Sequence, residues 1–548
     1  MGPAMAVNEA VLINAGLQAG LVDAETISRL RPVARAQRMS LLDAVTRELR
    51  LPPAAFWQSL ARLRGLPWLD LEACPLDEES YKRLPATLLQ KHGMLPVKDA
   101  QGGEWLVLGD PDDRVGLAAV ARLLNREPRA ALADPDALAA AIRRETGRGP
   151  LSAARPEDEG AIGLFDRLMK EAWLRRATDI HVEAGEGGHG IRLRVDGEMQ
   201  EWGLPLPRAQ GESLISRIKV LGHMDISESR AAQDGGMAYR IEGWDGEAID
   251  IRAASLPTRH GERVTLRLLG SGTAVGAIAL DALGMPVGML TRFREVLAQP
   301  HGIVLVTGPT GSGKSTTLYA ALRELDRRRL NILTVEDPVE QQLDGISQVG
   351  VSNKVGFADA LRAFLRHDPD IILVGEVRDA DTADTALKAA ATGHLVLSTL
   401  HTNSAAGAVT RLADIGCERY MLADTLAGVL AQRLVRRLCV HCRREVEADD
   451  TARRLLGLAQ DARATHYEAT GCPHCLGSGY RGRVGLYEAL WPDAELAEAI
   501  AAGAPERRLA ELARAAGRLF GLAEDARAKV RAGLTTVHEV RHLLARVE

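Results

Sequence analysis

GPTGSGKSTTLYAAL, at residues 308–322, is the stretch of this sequence that best predicts a fold. It begins with the pattern G-x-x-x-x-G-K-[ST], after the apolar run IVLV at 303–306 and before a helical pattern. In such a strand–loop–helix unit, backbone N–H groups and the helix start attract phosphate oxygens. Lys314 is predicted to reach the β- and γ-phosphates, and the Ser315 hydroxyl to ligate Mg²⁺. The predicted phosphate contacts are Gly308, Pro309, Thr310, Gly311, Ser312, Gly313, Lys314, Ser315 and Thr316.

Three further apolar runs in the C-terminal half have a similar length and composition. They are ILTV at 332–335, IILV at 371–374 and LVLS at 395–398. Short runs without polar alternation suit the strands of a parallel sheet that is buried on both faces. Because ligands of such sheets bind beyond the carboxyl ends of the strands, the residues after each run are candidates for chemistry.

The residues near these runs include four candidate catalytic side chains besides Lys314. Hydrolysis of a nucleotide needs a carboxylate that orients or deprotonates water and an acid that helps to hold Mg²⁺. Glu376 is the first candidate for the water, and Glu336 is the second, sharing that role or holding the metal through water. His401 is a candidate sensor of the γ-phosphate, and His394 is a further catalytic candidate. The alternative for each is an ordinary surface residue of a loop.

Length and composition restrict the class of protein. At 548 residues the chain exceeds one core and suggests three or four domains. The net charge of −5 argues against a general nucleic-acid binder, which normally carries a basic stripe. The N-terminus lacks the pattern of a signal peptide, and no window reaches the ~20 apolar residues that a membrane span needs. We therefore expect a cytoplasmic protein that meets a membrane only through a partner.

Two stretches divide the chain, GRGPLSAARPEDEG as a linker and GSGTAVG as a hinge. Helical patterning followed by a strand–turn–helix pattern predicts a helical/α+β domain before the linker. Alternating stretches such as IRLRVDGEM predict a small α+β domain between linker and hinge. The predicted segments are an N-terminal domain 1–146, the linker 147–160, the α+β domain 161–269, the hinge 270–276, a phosphate-binding α/β domain 277–438, a cysteine-containing module 439–485 and a helical C-terminal domain 486–548.

Four of the six cysteines form two C-x-x-C pairs, Cys439 with Cys442 and Cys472 with Cys475. In a cytoplasmic chain two such pairs predict a zinc site of four thiolates, because disulfides are unstable in that compartment. The 29 residues between the pairs exceed the usual spacing of about 15–20, so this segment should be structured. Four thiolates leave no open position, which predicts a structural role. The alternative is redox-active or unrelated cysteines.

Together these blocks resemble the ATPase family that drives type II secretion and type IV pilus assembly. EDPVE at 336–340 is similar to the family's Asp box, DPDIILVGEVRD at 368–379 to its Walker B region, and TGHLVLSTLHTN at 392–403 to its His box. The resemblance covers residues 160–548 and includes ATDIHVE and RIKVLGHMDISESR. It implies a RecA-like P-loop ATPase core with a parallel sheet, a PAS-like α+β domain before it, a Cys₄ zinc module and hydrolysis of ATP with Mg²⁺.

The resemblance also implies a set of arginines at the phosphates. An arginine that arrives late can stabilise the charge of the transition state. The alternative for each is a solvated surface position or an ion pair. The candidates are Arg252 and Arg267 as catalytic residues in the middle domain, and Arg362, Arg366 and Arg483 as nucleotide contacts.

The cysteine pairs are typical of the branch of this family that assembles filaments. The resemblance implies a homohexamer at the inner membrane that acts on a platform protein, with type II secretion favoured and type IV pilus assembly as the alternative. PLDEESYKRLPATLLQKHGMLPV at 75–97 resembles, more weakly, the domain that docks on a membrane-anchored partner. The N-terminus does not match the motif by which some pilus ATPases bind cyclic di-GMP, so that ligand is not expected. A nucleic-acid motor and a non-hydrolysing scaffold are the less favoured alternatives.

Overall fold

The computed structural model describes residues 7–37, 39–71, 73–146, 160–203, 205–241, 248–269, 278–459 and 464–545. The predicted hinge at 270–276 lies outside these ranges, as does the predicted linker apart from Gly160. Two compact units are described separately below. Unit 1 is Met1–Thr273 with Gly471–Ser478, and unit 2 is Ala274–Thr470 with Gly479–Glu548.

Unit 1 begins with a mainly helical part that contains a three-stranded sheet. Its elements are α1 (Glu9–Gln18), α2 (Ala24–Ala36), α3 (Leu41–Leu49), α4 (Ala54–Leu63), α5 (Glu78–Arg83), α6 (Ala86–His92), β1 (Met94–Lys98), β2 (Glu104–Leu108), α7 (Arg114–Leu124), β3 (Ala130–Leu132) and α8 (Pro135–Thr146). Strand β2 pairs antiparallel with β1 and parallel with β3. Phe56 and Leu60 of α4 are buried in the core between the first helices and this sheet. The helical/α+β character predicted for this region is therefore confirmed.

The second part of unit 1 is a six-stranded antiparallel sheet with two helices. Its elements are α9 (Ala161–Leu174), β4 (Ala177–Gly185), β5 (Gly188–Val195), β6 (Glu198–Glu201), α10 (Arg208–Leu221), β7 (Gln233–Tyr239), β8 (Ile249–Thr258) and β9 (Gly261–Leu269). The strand order is β6-β5-β4-β9-β8-β7. Along β8, Ile251 and Ala253 are buried whereas Arg252 and Ala254 are exposed, as expected for a sheet with one covered face. The predicted α+β class is confirmed.

Unit 2 is built around a sheet whose strands include the four apolar runs. Its first elements are a 3₁₀ helix (Leu280–Leu283), α11 (Val287–Leu297), β10 (Gly302–Thr307), α12 (Lys314–Glu324), β11 (Ile332–Glu336), β12 (Ser347–Gly350), α13 (Phe357–Phe364), β13 (Ile371–Val374), α14 (Ala380–Ala391), β14 (Leu395–Leu400), α15 (Ala405–Ile415), α16 (Arg419–Thr425) and β15 (Leu426–Leu438). Strands β12-β11-β13-β14-β10-β15 are neighbours in this order, and all pair in parallel.

The remaining elements extend this sheet and cover it. They are β16 (Arg444–Glu447), α17 (Asp450–Leu455), β17 (Thr465–Glu468), β18 (Tyr480–Leu490), α18 (Ala494–Ala501), α19 (Glu506–Ala515), β19 (Leu519–Phe520), α20 (Leu522–Arg531) and α21 (Val537–Leu544), with a 3₁₀ helix at Pro473–Cys475 counted in unit 1. Strand β18 pairs antiparallel with β15 and β19. Strand β18 continues across residue 485, the boundary predicted between the cysteine-containing module and the C-terminal domain, because its pairing with β15 extends beyond that residue.

The fully apolar runs have a simple explanation in the packing of unit 2. In β13, Ile372 and Val374 belong to the hydrophobic core on one face of the sheet. Ile371 and Leu373 belong to the core on the other face. Since helices cover both faces, every position of the strand is buried, as predicted. No helix within the described ranges is long and apolar enough to cross a membrane.

Candidate functional site

The loop between β10 and α12 has the backbone expected of a phosphate-binding loop. Three of its glycines have positive φ angles, +148° at Gly308, +77° at Gly311 and +89° at Gly313. A Cβ atom at Gly308 would lie 2.4 Å from the backbone oxygen of Gln432. Glycine is therefore required there both for the backbone conformation and for the close approach of β15.

Lys314 is the first residue of α12 and lies over the loop. Its Nζ donates hydrogen bonds to the carbonyl oxygens of Gly308, at 2.9 Å, and Pro309, at 3.1 Å. Burial lowers the pKa of Lys314, and the negative charge of nearby Glu376 opposes that effect. Ser315 and Thr316 follow in the first turn of α12. The loop and its lysine thus have the arrangement that binds phosphates in strand–loop–helix units.

The carboxyl edge of the sheet brings the predicted catalytic groups together. Glu376 follows β13, and its carboxylate contacts the guanidinium of Arg378. The Nε2 atom of His401, which follows β14, lies 3.4 Å from Oε2 of Glu376. Arg378 also lies 3.6 Å from Oδ2 of Asp337, measured from its Nη1 atom. Arg378 lies within the Walker B block but is not among the site residues predicted from the sequence.

Glu336 is a buried carboxylate that is hydrogen-bonded to side chains of the protein. It is the last residue of β11 and is only 6% exposed. Its Oε1 accepts hydrogen bonds from Thr334 Oγ1 at 2.7 Å and from Gln348 Nε2 at 3.1 Å. Its Oε2 accepts a hydrogen bond from the Tyr319 hydroxyl. Side chains of the protein therefore occupy three of the roughly four acceptor positions of this carboxylate.

His394 lies at the amino edge of the sheet, opposite the edge that carries the P-loop. It precedes β14, its backbone oxygen accepts a hydrogen bond from Gly302 at the start of β10, and its Nδ1 lies 2.9 Å from the Ala389 oxygen. The P-loop follows the other end of β10. Six strand residues at ~3.3 Å each separate the two edges by about 20 Å. His394 therefore does not reach the P-loop of its own chain, and its catalytic role stays a prediction.

Two of the three arginines predicted in unit 2 have local partners. Arg362 Nη1 lies 3.2 Å from Oδ1 of Asp359, and Arg366 Nη1 donates to the Arg362 carbonyl oxygen at 2.9 Å. Arg483 lies opposite Arg436 in the β15–β18 ladder and is exposed. Their contacts to a nucleotide stay predictions.

The two arginines predicted in the middle domain are cross-strand neighbours in unit 1. Arg252 on β8 lies opposite Arg267 on β9, and both are exposed. Arg267 Nε donates a hydrogen bond of 3.0 Å to Oδ1 of Asp179. Their catalytic role also stays a prediction.

Gln432 of β15 is a candidate site residue that the sequence analysis missed. It is 2% exposed, and its Nε2 donates a 2.7 Å hydrogen bond to the Ser312 carbonyl oxygen of the P-loop. Its Oε1 accepts a 2.9 Å hydrogen bond from Thr317 Oγ1 of α12. The available signal was a polar amide inside the apolar stretch LAGVLAQRLV, since a buried amide in a strand normally has specific partners.

A cavity of about 260 Å³ lies beside the P-loop in unit 2. It is bounded by the loop, by β15 and by α21, so it is contiguous with the predicted phosphate site. The lining residues are Pro309, Thr310, Gly311, Ser312, Arg433, Leu434, Val435, Glu539 and Leu543.

The four paired cysteines come together as predicted. The Sγ atoms of Cys439, Cys442, Cys472 and Cys475 all lie within 4.8 Å of one another. Three of these side chains are buried, and Cys442 is half-buried. A tetrahedron with Zn–S bonds of about 2.3 Å requires sulfur atoms about 3.8 Å apart, and those of Cys472 and Cys475 are separated by 3.7 Å. The donor set and spacing therefore fit a tetrathiolate metal site.

Comparison with known protein families gives two matches. The family described as "Type II/IV secretion system protein" matches residues 155–542, and the MshEN domain matches residues 64–149. Among solved structures, the ATPase DotB of Legionella pneumophila covers 70% of this chain and 95% of its own, with a TM-score of 0.52 and 23% identity. This likeness supports the fold.

Curated relatives come from both secretion and pilus systems. The type II secretion system ATPase E of Vibrio cholerae is 47% identical over 70% of this chain and 75% of its own length. The type II secretion system protein HxcR of Pseudomonas aeruginosa is 48% identical over 69% of this chain and 76% of its own. The type IV pilus assembly ATPase PilB of Thermus thermophilus is 40% identical over 91% of this chain, which spans only 58% of that relative.

Proposed function

Because this chain belongs to the type II/IV secretion system protein family of RecA-like ATPases, we propose that it hydrolyses ATP to power pseudopilus assembly and protein export by a type II secretion system. One observation carries the enzymatic part, namely that Lys314 lies over the P-loop after β10 while Glu376 follows β13, at the carboxyl edge of the same run of parallel strands. The choice of type II secretion is supported by relatives with that name, which are 44–48% identical.

The proposed chemistry uses the residues at this edge. The P-loop amides and Lys314 hold the ATP phosphates, and Ser315 ligates Mg²⁺, which neutralises charge on the phosphates when bound. Glu376 orients a water molecule and accepts its proton as the oxygen attacks the γ-phosphorus, releasing ADP and phosphate. Arg378 contacts this carboxylate and must leave it before water can take its place. His401, whose Nε2 atom lies 3.4 Å from Oε2 of Glu376, contacts the γ-phosphate in this proposal.

The proposed assembly is a homohexamer in the cytoplasm, peripheral to the inner membrane. A closed ring allows one subunit to complete the site of its neighbour, which gives a role to the exposed arginines Arg252, Arg267, Arg362, Arg366 and Arg483. The partners are an inner-membrane platform protein and a membrane-anchored protein that docks on the N-terminal domain. The four thiolates hold a structural Zn²⁺, and the expectation that cyclic di-GMP is not a ligand stays a prediction.

Type IV pilus assembly is the second candidate function. The specific observation in its favour is that the alignment with the pilus assembly ATPase PilB extends over 91% of this chain, compared with 70% for the ATPase E of Vibrio cholerae.

The test is Glu376→Gln at the chromosomal locus of the native bacterium, with exposed Glu418→Gln as the matched control. Secreted enzymes in the medium and pilin on the cell surface are measured in the same cultures. Loss of secretion with intact pili supports the type II proposal, whereas loss of pili with intact secretion replaces it by the pilus alternative. If neither changes while the purified variant has lost ATP hydrolysis, both transport roles are refuted.

A further inference from the structure

Tyr319 forms an unexpected link between the phosphate-binding helix and the Asp box. It lies on α12, five residues after Lys314, and is only 3% exposed. Its hydroxyl donates a hydrogen bond to Oε2 of Glu336, at the end of β11. The same hydroxyl accepts a 3.2 Å hydrogen bond from the backbone N–H of Glu340. One phenol oxygen therefore fixes both ends of the block 336–340 to the helix.

The opposite side of the Glu336 carboxylate is held by β12. Gln348 donates to Oε1 of Glu336 at 3.1 Å and to the Gln341 carbonyl oxygen at 2.9 Å, and it accepts the N–H of Leu343 at 2.7 Å. The segment that follows Glu336 is thus anchored from two elements through one buried carboxylate. Such a fully paired polar network fixes a single geometry, because breaking any one hydrogen bond leaves a buried polar atom without a partner.

The network continues toward the candidate base. Asp337 follows Glu336 directly, and its carboxylate lies 3.6 Å from Arg378. Arg378 in turn contacts the carboxylate of Glu376. A displacement of the Asp box relative to α12 would therefore change where Arg378 is held, and so the surroundings of Glu376.

We propose that Tyr319 is a positioning residue for ATP hydrolysis, which acts through Glu336 to keep the Asp box and Arg378 in register with the helix that carries Lys314. Glu336 is then an internal anchor that fixes the loop, and it is not a ligand of the metal or of water. The proposal rests on the proposed ATPase function and assigns a task to two buried side chains of that site.

The experiment compares Tyr319→Phe with Tyr81→Phe in the purified protein. Tyr81 is the matched control because it is half-buried and its hydroxyl donates a 2.6 Å bond to the Glu145 carbonyl oxygen in unit 1, outside the Glu336 network. We expect Tyr319→Phe to lower kcat about tenfold and to change KM for ATP less than twofold, since Lys314 and the P-loop are unaltered. Both variants should lose similar thermal stability, and only Tyr319→Phe should lose turnover.

A double-mutant cycle shows whether Tyr319 acts through Glu336. If it does, adding Tyr319→Phe to Glu336→Gln lowers kcat by much less than tenfold. Additive losses, an unchanged kcat in Tyr319→Phe, or an equal loss in Tyr81→Phe would each overturn the proposal. Should Tyr319→Phe not fold, Gln348→Met removes the donor on the other oxygen and must show the same loss of kcat. Absence of turnover in the parent protein refutes the proposed ATPase function instead.

Discussion

Replacing Gln432 by Met tests whether β15 holds the P-loop in shape. Methionine has a similar length but no amide, so the substitution removes the donor to the Ser312 oxygen and the acceptor for the Thr317 hydroxyl. Each bond contributes about 0.5–1.5 kcal/mol, and each buried partner left unpaired costs about 1–3 kcal/mol. A local loss of about 2–4 kcal/mol is therefore expected.

Part of that loss should be measured as weaker nucleotide binding. If the loop must reorder before it can bind phosphates, about 1.4 kcal/mol of reordering raises Kd tenfold. Equilibrium titration with a fluorescent ADP analogue gives Kd, and thermal unfolding gives the change in stability. Thr425→Val is the control, since Thr425 is 4% exposed and loses one bond, to the Met421 oxygen, at the amino edge of the sheet.

The outcome that would refute this reasoning is an unchanged Kd in a Gln432→Met protein that unfolds at a lower temperature. Gln432 would then stabilise the fold without shaping the loop. A Kd raised equally by Thr425→Val would show that any loss of stability weakens binding.

Two further predictions concern the cysteines. Cys472→Ser should lower bound zinc from about one ion per chain to nearly none and lower the unfolding temperature, whereas Cys74→Ser, outside the pairs, should leave zinc content unchanged. Elemental analysis checks this, and full zinc retention would contradict a tetrathiolate site. Burial raises the pKa of Cys417 to about 11 from 9.0, so iodoacetamide at pH 8 should modify it only after unfolding. The contribution of the buried neutral Cys417 thiol to the free energy of unfolding is complete below pH 9 and is lost as the pH rises toward 11. Rapid labelling of Cys417 in the native protein, detected by mass spectrometry, would contradict the raised pKa.

The parts of the fold that were predictable depend on local patterns. The run at 371–374 predicts a buried strand because both of its faces must be covered. The P-loop pattern likewise predicts its own strand, loop and helix. The two C-x-x-C pairs indicate their common site because thiolates converge on one metal.

The surroundings that could not be predicted from the sequence are those that depend on distant residues. His394 and His401 belong to the same sequence block, 392–403. His394 precedes β14 and so lies at the amino edge of the sheet, whereas His401 follows β14 and lies at the carboxyl edge. Glu336 looks like a free carboxylate in the sequence. Its partners Tyr319 and Gln348 lie 17 and 12 residues away in the chain, and no sequence pattern predicts these hydrogen bonds.

The two buried polar contacts of the P-loop region suggest how nucleotide state is transmitted within unit 2. Tyr319 ties α12 to the Asp box through Glu336. Gln432 ties the loop to β15, and this strand ends at Leu438, directly before Cys439. Because protein interiors are close-packed, a displacement at one end of a buried strand is transmitted along that strand. A change in the loop at Ser312 would therefore reach the Asp box by one route and the cysteine module by the other, which makes Gln432 and Tyr319 separable by mutation.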